Sequence, residues 1–276
     1  MTDATDLLGG LDARLHDARG VRLRVFTGGE GPPLLLLHGF GGAAWNFTEM
    51  APLLDGVRLL VPDLPGHGGS EPLPAPSLTG FADAVATLLD EPVAVFGHSM
   101  GGVVAVRLAE RHPELVRSLV LAAPAGISSS SRLSTVFLAT VGVVRPARIA
   151  GRRVERIGRS QRLKRLVFGR FEVANADVLS EASVHVFLRA SELHTDALGA
   201  GLALARDDPR QSLEHVRAPA LVLFGARDRQ VPLADGFEYA RRLRAPLRVI
   251  ADCGHLLVGE RPDVCARAAL ELAQAR

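Results

Sequence analysis

Short apolar runs alternate along this chain with longer segments in which apolar residues recur every three or four positions. This alternation is typical of a mostly parallel sheet covered by helices, so it predicts the α/β class. Most of the runs are apolar throughout, as expected for strands that are buried on both faces. The pattern predicts eight strands, at residues 11–16, 21–26, 33–39, 57–63, 93–97, 118–124, 220–225 and 246–251.

The first two strands have alternating polar and apolar residues and a short connection, which predicts an antiparallel hairpin. The segments with helical periodicity predict helices that flank the sheet. The clearest of them cover residues 77–90, 101–112, 232–243 and 261–275.

One long segment, Ala125 to Pro219, interrupts the alternation and contains no convincing strand. We interpret residues 125–219 as a helical cap inserted into one core domain, which is formed by residues 1–124 and 220–276. An independent domain is the alternative. The return of the chain to the same sheet pattern favours the cap.

The length and composition indicate a folded chain with one large core, because 276 residues with 47% hydrophobic side chains can bury most of their apolar surface. No apolar run approaches the roughly 18 residues of a membrane span, and the first residues lack a secretory signal pattern. These features predict a cytoplasmic location. Cys253 and Cys265 fit neither a disulfide framework nor a metal-ligand spacing, and we interpret them as small, partly buried residues without a functional role.

The residues from Gly97 to Gly101 read GHSMG and follow an apolar strand directly, with a helical segment after them. The G-x-S-x-G pattern in this context predicts a nucleophile elbow, a turn so tight that its serine is exposed above the sheet. Gly97 and Gly101 are then required because the turn tolerates no bulk. Ser99 is the predicted nucleophile.

A serine hydroxyl needs a base and an acid that orients the base. His255 is the predicted base, because it lies in a glycine-bounded loop after the last strand. Asp228 is the predicted acid, because it follows a strand and would lie at the carboxyl edge of the sheet, where active sites of open α/β sheets form. Asp235 and Asp252 are rivals by proximity, and we expect both to be structural.

The order serine, aspartate, histidine is that of the α/β-hydrolases, and the chain resembles this superfamily over nearly its whole length. Five motifs carry the resemblance, namely LLLLHGFGG, VPDLPGHGGS, GHSMGG, GARDRQVP and CGHLLVGERPDV. The resemblance implies that the backbone N–H groups of Phe40 and Met100 form an oxyanion hole, with the cap above the pocket. We expect His38 and Gly39 to be a loop scaffold that holds the Phe40 amide.

These residues predict a serine hydrolase that transfers an acyl group from a small ester to water, without a metal or an organic cofactor. The resemblance also extends to hydrolases that cleave carbon–carbon bonds in ring-cleavage products. That group commonly has Asn before the serine and Trp after the histidine, where this chain has His98 and Leu256. Esterase, thioesterase, lactonase and perhydrolase activities stay open. A ligand-binding protein without catalysis is the alternative from a different class.

Positive charge is concentrated in residues 127–172, which carry eleven Arg or Lys against two Glu. Five arginines recur at spacings of three and four and predict a basic stripe on a helix: Arg145, Arg148, Arg152, Arg156 and Arg159. A solvated outer face is the favoured interpretation, followed by attraction of an anionic substrate or acidic partner, and then by contact with an anionic membrane surface. Nucleic acid is not an expected partner, because the rest of the chain is acidic.

Overall fold

The computed structural model describes Leu8 and residues 10–128, 153–169 and 171–275. An eight-stranded sheet forms the centre of the described part, and all eight predicted strands are confirmed. The strands are β1 (Asp12–Asp17), β2 (Arg22–Gly28), β3 (Pro33–Leu37), β4 (Arg58–Pro62), β5 (Val93–His98), β6 (Val116–Ala122), β7 (Ala220–Gly225) and β8 (Leu247–Ile250).

The strands lie in the order β1-β2-β4-β3-β5-β6-β7-β8. β1 and β2 form the predicted antiparallel hairpin, and β2 also pairs antiparallel with β4. From β4 to β8 every neighbouring pair is parallel. The loops after β3, β5, β7 and β8 therefore leave the sheet at one edge, and this edge carries the predicted site residues.

Nine α-helices are present in the described ranges. They are α1 (Leu78–Ala86), α2 (Met100–Arg111), α3 (Val154–Arg159), α4 (Gln161–Val167), α5 (Glu181–Glu192), α6 (Ala197–Arg206), α7 (Leu233–Leu243), α8 (Leu257–Glu260) and α9 (Pro262–Ala273). Short 3-10 turns occupy Ala44–Phe47, Ala51–Leu53, Pro113–Leu115, Ala176–Val178, Pro209–Gln211 and Leu213–His215. Helices α2 and α9 both pack against β5 and β6. Every residue of β3 and β5 is buried, as the unbroken apolar runs predict.

The described residues between β6 and β7 contain helices and no strand, in agreement with the predicted secondary structure of the insertion. Helices α3, α4 and α5 surround an apolar cluster that is separate from the main core. This cluster, which we call the insertion cluster, consists of Val154, Ile157, Phe168, Val173, Ala176, Leu179, Val184, Leu188 and Leu256. Leu256 lies outside the insertion and directly follows His255. The insertion cluster therefore packs against residues 251–256, the loop that carries His255, which we call the histidine loop.

Three arginines of the predicted basic stripe lie outside the described residues, namely Arg145, Arg148 and Arg152. The other two, Arg156 and Arg159, lie on α3 and are exposed. Within the described ranges, none of the helices combines the length and the apolar character that a membrane span requires.

Candidate active site

The elbow at the end of β5 holds Ser99 in a backbone conformation that L-residues rarely adopt, with φ 54° and ψ −117°. The two flanking glycines make this turn sterically feasible. A Cβ atom on Gly97 would lie 2.4 Å from the carbonyl oxygen of Gly101, and one on Gly101 would lie 2.3 Å from that of Leu37. Backbone atoms crowd both positions, so larger residues cannot be accommodated without moving the chain.

The ring of His255, in the loop after β8, bridges Ser99 and Asp228. His255 Nε2 is 2.9 Å from Ser99 Oγ, and His255 Nδ1 is 2.8 Å from Asp228 Oδ2. The Asp228 side chain has no exposed surface, and the His255 side chain is only 6% exposed. The structure thus brings together the three side chains that the sequence predicts as nucleophile, base and acid.

The contacts of Asp228 fix the direction of this hydrogen-bond chain. Its second oxygen, Oδ1, accepts from the backbone N–H groups of Gln230 at 2.8 Å and Val231 at 2.9 Å. A carboxylate only accepts hydrogen bonds, so His255 Nδ1–H donates to Oδ2. The other ring nitrogen, Nε2, is then free to accept the Ser99 hydroxyl proton, as a general base must.

The two rival aspartates lie elsewhere. Asp235 is buried and accepts from the backbone N–H of Ser128 at 2.8 Å and from its hydroxyl at 2.7 Å. The Asp252 side chain is 79% exposed and pairs with Arg227 at 3.0 Å. Neither contact involves the histidine ring.

The loop after β3 lies against the elbow. A Cβ atom on Gly39 would lie 3.1 Å from the Ser99 Cβ, so the backbone that leads to Phe40 passes beside the serine. Met100 begins α2, and the first N–H groups of a helix have no partner within the helix. The loop that carries Phe40 and the first turn of the helix that begins at Met100 therefore both adjoin Ser99.

His38 joins this loop to the next one. The backbone N–H of Leu64 donates to His38 Nε2 at 2.9 Å, so the ring proton is on Nδ1, which donates to the Gly39 carbonyl at 2.8 Å. Burial lowers the pKa of His38 to about 3. A neutral His38 therefore makes both hydrogen bonds at physiological pH, in keeping with a scaffold.

Sequence reasoning did not identify three further groups around His255. His98 Nε2–H donates to the His255 carbonyl at 2.8 Å, and burial lowers the pKa of His98 to about 4. Glu172 lies between α4 and α5; burial raises the pKa of its carboxyl, and the nearby His255 acts in the opposite direction. Glu260 accepts from the backbone N–H of Gly254 at 2.7 Å. His98 and Glu260 lie within the GHSMGG and CGHLLVGERPDV motifs, but only the tertiary structure shows which groups they contact.

A family model described as the alpha/beta hydrolase fold matches residues 32–262, which is more than half of the chain. The chain belongs to the alpha/beta hydrolase fold family. The predicted resemblance and the predicted fold are therefore confirmed, and so is the expectation of an enzyme at the level of the family.

Two curated relatives of this hydrolase differ in the reaction that their names state. A pimeloyl-(acyl-carrier protein) methyl ester esterase of Aromatoleum aromaticum is 34% identical over 85% of this chain and 95% of its own length. A 2-hydroxymuconate semialdehyde hydrolase of a Pseudomonas species is 31% identical over 86% of this chain and 85% of its own length. The enol-lactonase of Burkholderia xenovorans, a solved structure, has a TM-score of 0.77 at 23% identity, over 95% of this chain and 100% of that one. The last likeness is one of fold alone.

Proposed function

We propose that this protein is a serine hydrolase that cleaves a carboxylic ester or a related acyl bond, with Ser99 as nucleophile, His255 as base and Asp228 as the orienting acid. The continuous hydrogen-bond chain from Ser99 Oγ through both nitrogens of His255 to Asp228 carries the proposal. The esterase name of a relative at 34% identity supports the choice of an ester.

The reaction proceeds in two halves that use the same proton acceptor. His255 Nε2 takes the Ser99 hydroxyl proton while Oγ bonds to the carbonyl carbon, and Asp228 stabilises the imidazolium that forms. The imidazolium then gives this proton to the alcohol oxygen as the ester C–O bond breaks, which leaves an acyl-enzyme. A water molecule repeats the sequence, and its attack releases the acid and restores Ser99. Only groups of the chain and water take part.

The oxyanion that forms in each half is held, in this proposal, by the backbone N–H groups of Phe40 and Met100. One such donor is typically worth about 3 to 4 kcal/mol of the barrier. The close approach of the Gly39 backbone to Ser99 and the hydrogen bonds of His38 support this assignment. A helical cap formed by residues 125–219 completes the pocket above these groups.

The substrate class is best tested with a panel of acyl compounds, because two relatives carry names of different reactions. The panel contains simple methyl and aryl esters, a methyl ester of a pimeloyl chain on an acyl carrier protein, a lactone, a thioester and a keto-enol acid cleaved at a carbon–carbon bond. We expect turnover of an ester. Exclusive turnover of the keto-enol acid would assign the protein to the alternative reaction.

The assignment of Ser99 is tested by Ser99→Ala, which we expect to lower ester hydrolysis about a million-fold while the protein stays folded, because triad members act as a unit. A fluorophosphonate probe should label the parent protein at Ser99 and leave the variant unlabelled. Hydrolysis by the variant at the parental rate would refute the assignment. A folded parent that neither hydrolyses the panel nor reacts with the probe would be the non-catalytic binding protein instead.

A further inference from the structure

The cap and the histidine loop meet in a tight backbone contact. The backbone N–H of Leu256 donates to the Glu172 carbonyl at 2.9 Å. A Cβ atom on Gly254 would lie 2.6 Å from the backbone nitrogen of Ala174, so only glycine allows this approach. The backbone of residues 172–174 therefore lies beside the residues on both sides of His255.

The Glu260 carboxylate lies at the end of α8 and connects the same two segments. Oε1 accepts from the backbone N–H of Ala174 at 2.8 Å and of Asn175 at 3.1 Å, both in the cap. Oε2 accepts from the backbone N–H of Gly254 at 2.7 Å and lies 3.8 Å from Cys253 Sγ. One oxygen thus serves the cap, and the other serves the loop that carries His255.

Glu260 is 5% exposed, and within the described residues no Lys or Arg side chain forms an ion pair with it. Its sequence neighbour Arg261 pairs with Asp263 instead. Burial raises the pKa of the Glu260 carboxyl, while its backbone N–H donors act in the opposite direction. A buried acid without a cationic partner costs free energy to maintain, whereas an apolar side chain could fill the space without that cost.

We propose that Glu260 is a positioning residue that couples the cap to His255: its two carboxylate oxygens fix the histidine loop against the cap and so hold the imidazole in line with Ser99. The inference rests on the proposed function, since it assigns Glu260 an effect on the base of that reaction. Glu260 itself touches no reacting atom.

Glu260→Gln is the sharpest test, because it preserves the shape and removes one of the two acceptor oxygens. In either orientation of the amide, its NH₂ group faces backbone N–H donors on one side, so either the cap contact or the loop contact is lost. A displacement of about 1 Å in a reacting group can cost roughly 100-fold in rate. We expect kcat for a short ester, and the rate of fluorophosphonate labelling at Ser99, to fall by about that factor. KM should change little, because Glu260 does not contact the ester in this proposal.

Glu271→Gln is the matched control. Glu271 lies on α9 and pairs with Arg248 at 2.7 Å on the exposed surface, so its loss should leave kcat and labelling at the parental level. Proton NMR adds a readout that does not depend on turnover, namely the low-field resonance of His255 Nδ1–H, which is hydrogen-bonded to Asp228. The resonance should be present in the parent and in Glu271→Gln, and broadened or lost in Glu260→Gln.

A folded Glu260→Gln variant with parental kcat and an unchanged His255 resonance would overturn the proposal, even if its melting temperature were lower. If this variant does not fold, Glu260→Asp replaces it. Asp keeps the charge and is too short to reach both segments, so the same losses are expected and parental values would again overturn the proposal.

If the parent hydrolyses no ester, the proposed function fails. The effect of the Glu260 variants on the His255 resonance still decides whether Glu260 positions the ring.

Discussion

At the scale of single residues, replacement of Asp228, the proposed acid, gives the clearest test of the site. Asp228→Asn places an amide where one oxygen accepts from His255 and the other from Gln230 and Val231. Either orientation of the amide turns a donor toward a donor or stabilises the wrong histidine tautomer. We expect kcat to fall about ten-thousand-fold. Steady-state kinetics with one ester measure this effect.

Asp252→Asn is the control for that substitution, since the Asp252 side chain is exposed and pairs only with Arg227 among its described contacts. Its kinetics should match those of the parent. A larger loss at Asp252 than at Asp228 would reassign the acid.

The sequence predicts Ser99 and Asp228 because each follows an apolar strand, whereas the strand before His255 contains Arg248 and is weaker, so that prediction depends on the glycine-bounded loop after it. It could not indicate Glu172 or Glu260 in the same way. Glu172 approaches the site only through the folding of the insertion, and Glu260 lies within the CGHLLVGERPDV motif but contacts Ala174 and Asn175 only in the folded chain. The predicted cytoplasmic location and the bounds of the cap stay predictions.

At the scale of elements, the contact between α2 and the end of β3 determines whether the elbow can form. Gly101→Ala would place a methyl group 2.3 Å from the Leu37 carbonyl oxygen and 2.5 Å from that of His38. Neither backbone atom can move without displacing the strand or the loop next to Ser99. We expect a loss of more than about 3 kcal/mol in the free energy of unfolding, from overpacking against backbone, as measured by urea denaturation.

Gly158→Ala on α3 is the matched control, because its new methyl group would meet only atoms at 3.7 Å, an ordinary contact distance. Alanine also favours the helix by up to about 1 kcal/mol. The control should therefore be neutral or stabilising. Equal changes in the free energy of unfolding at Gly101 and Gly158 would show that the close backbone approach in the elbow does not limit stability.

At the scale of the whole molecule, three buried histidines make stability depend on pH. Burial lowers the pKa of His38 and His67 to about 3 and that of His98 to about 4. An unfolded histidine titrates near pH 6.5, so below this pH the unfolded chain binds more protons than the folded one. The contribution of these histidines to the free energy of unfolding is complete above about pH 6.5. It is lost as the pH falls, by about 2 kcal/mol per histidine at pH 5.

Replacement of His67 removes one of these three contributions and disturbs few other contacts. Its Nδ1–H donates to the Pro65 carbonyl at 3.0 Å, while Nε2 has no hydrogen-bond partner among the described residues, and the ring stacks on His194 at 3.8 Å between centroids. His67→Phe keeps an aromatic ring in the stack and removes the titration. At pH 8 the variant should be less stable by about 1 kcal/mol, the worth of one hydrogen bond.

Between pH 8 and pH 5 this variant should lose about 2 kcal/mol less than the parent, because it lacks one proton-binding site of the unfolded chain. Its stability should therefore equal or exceed that of the parent at pH 5. Burial also raises the pKa of buried carboxyls such as Asp63 and Glu260, which partly offsets the histidines toward lower pH. Parent and variant share these carboxyls, so their effect cancels in the difference. Chemical denaturation of both proteins across this pH range measures the difference, and parallel stability curves would contradict the assignment of a neutral, buried His67.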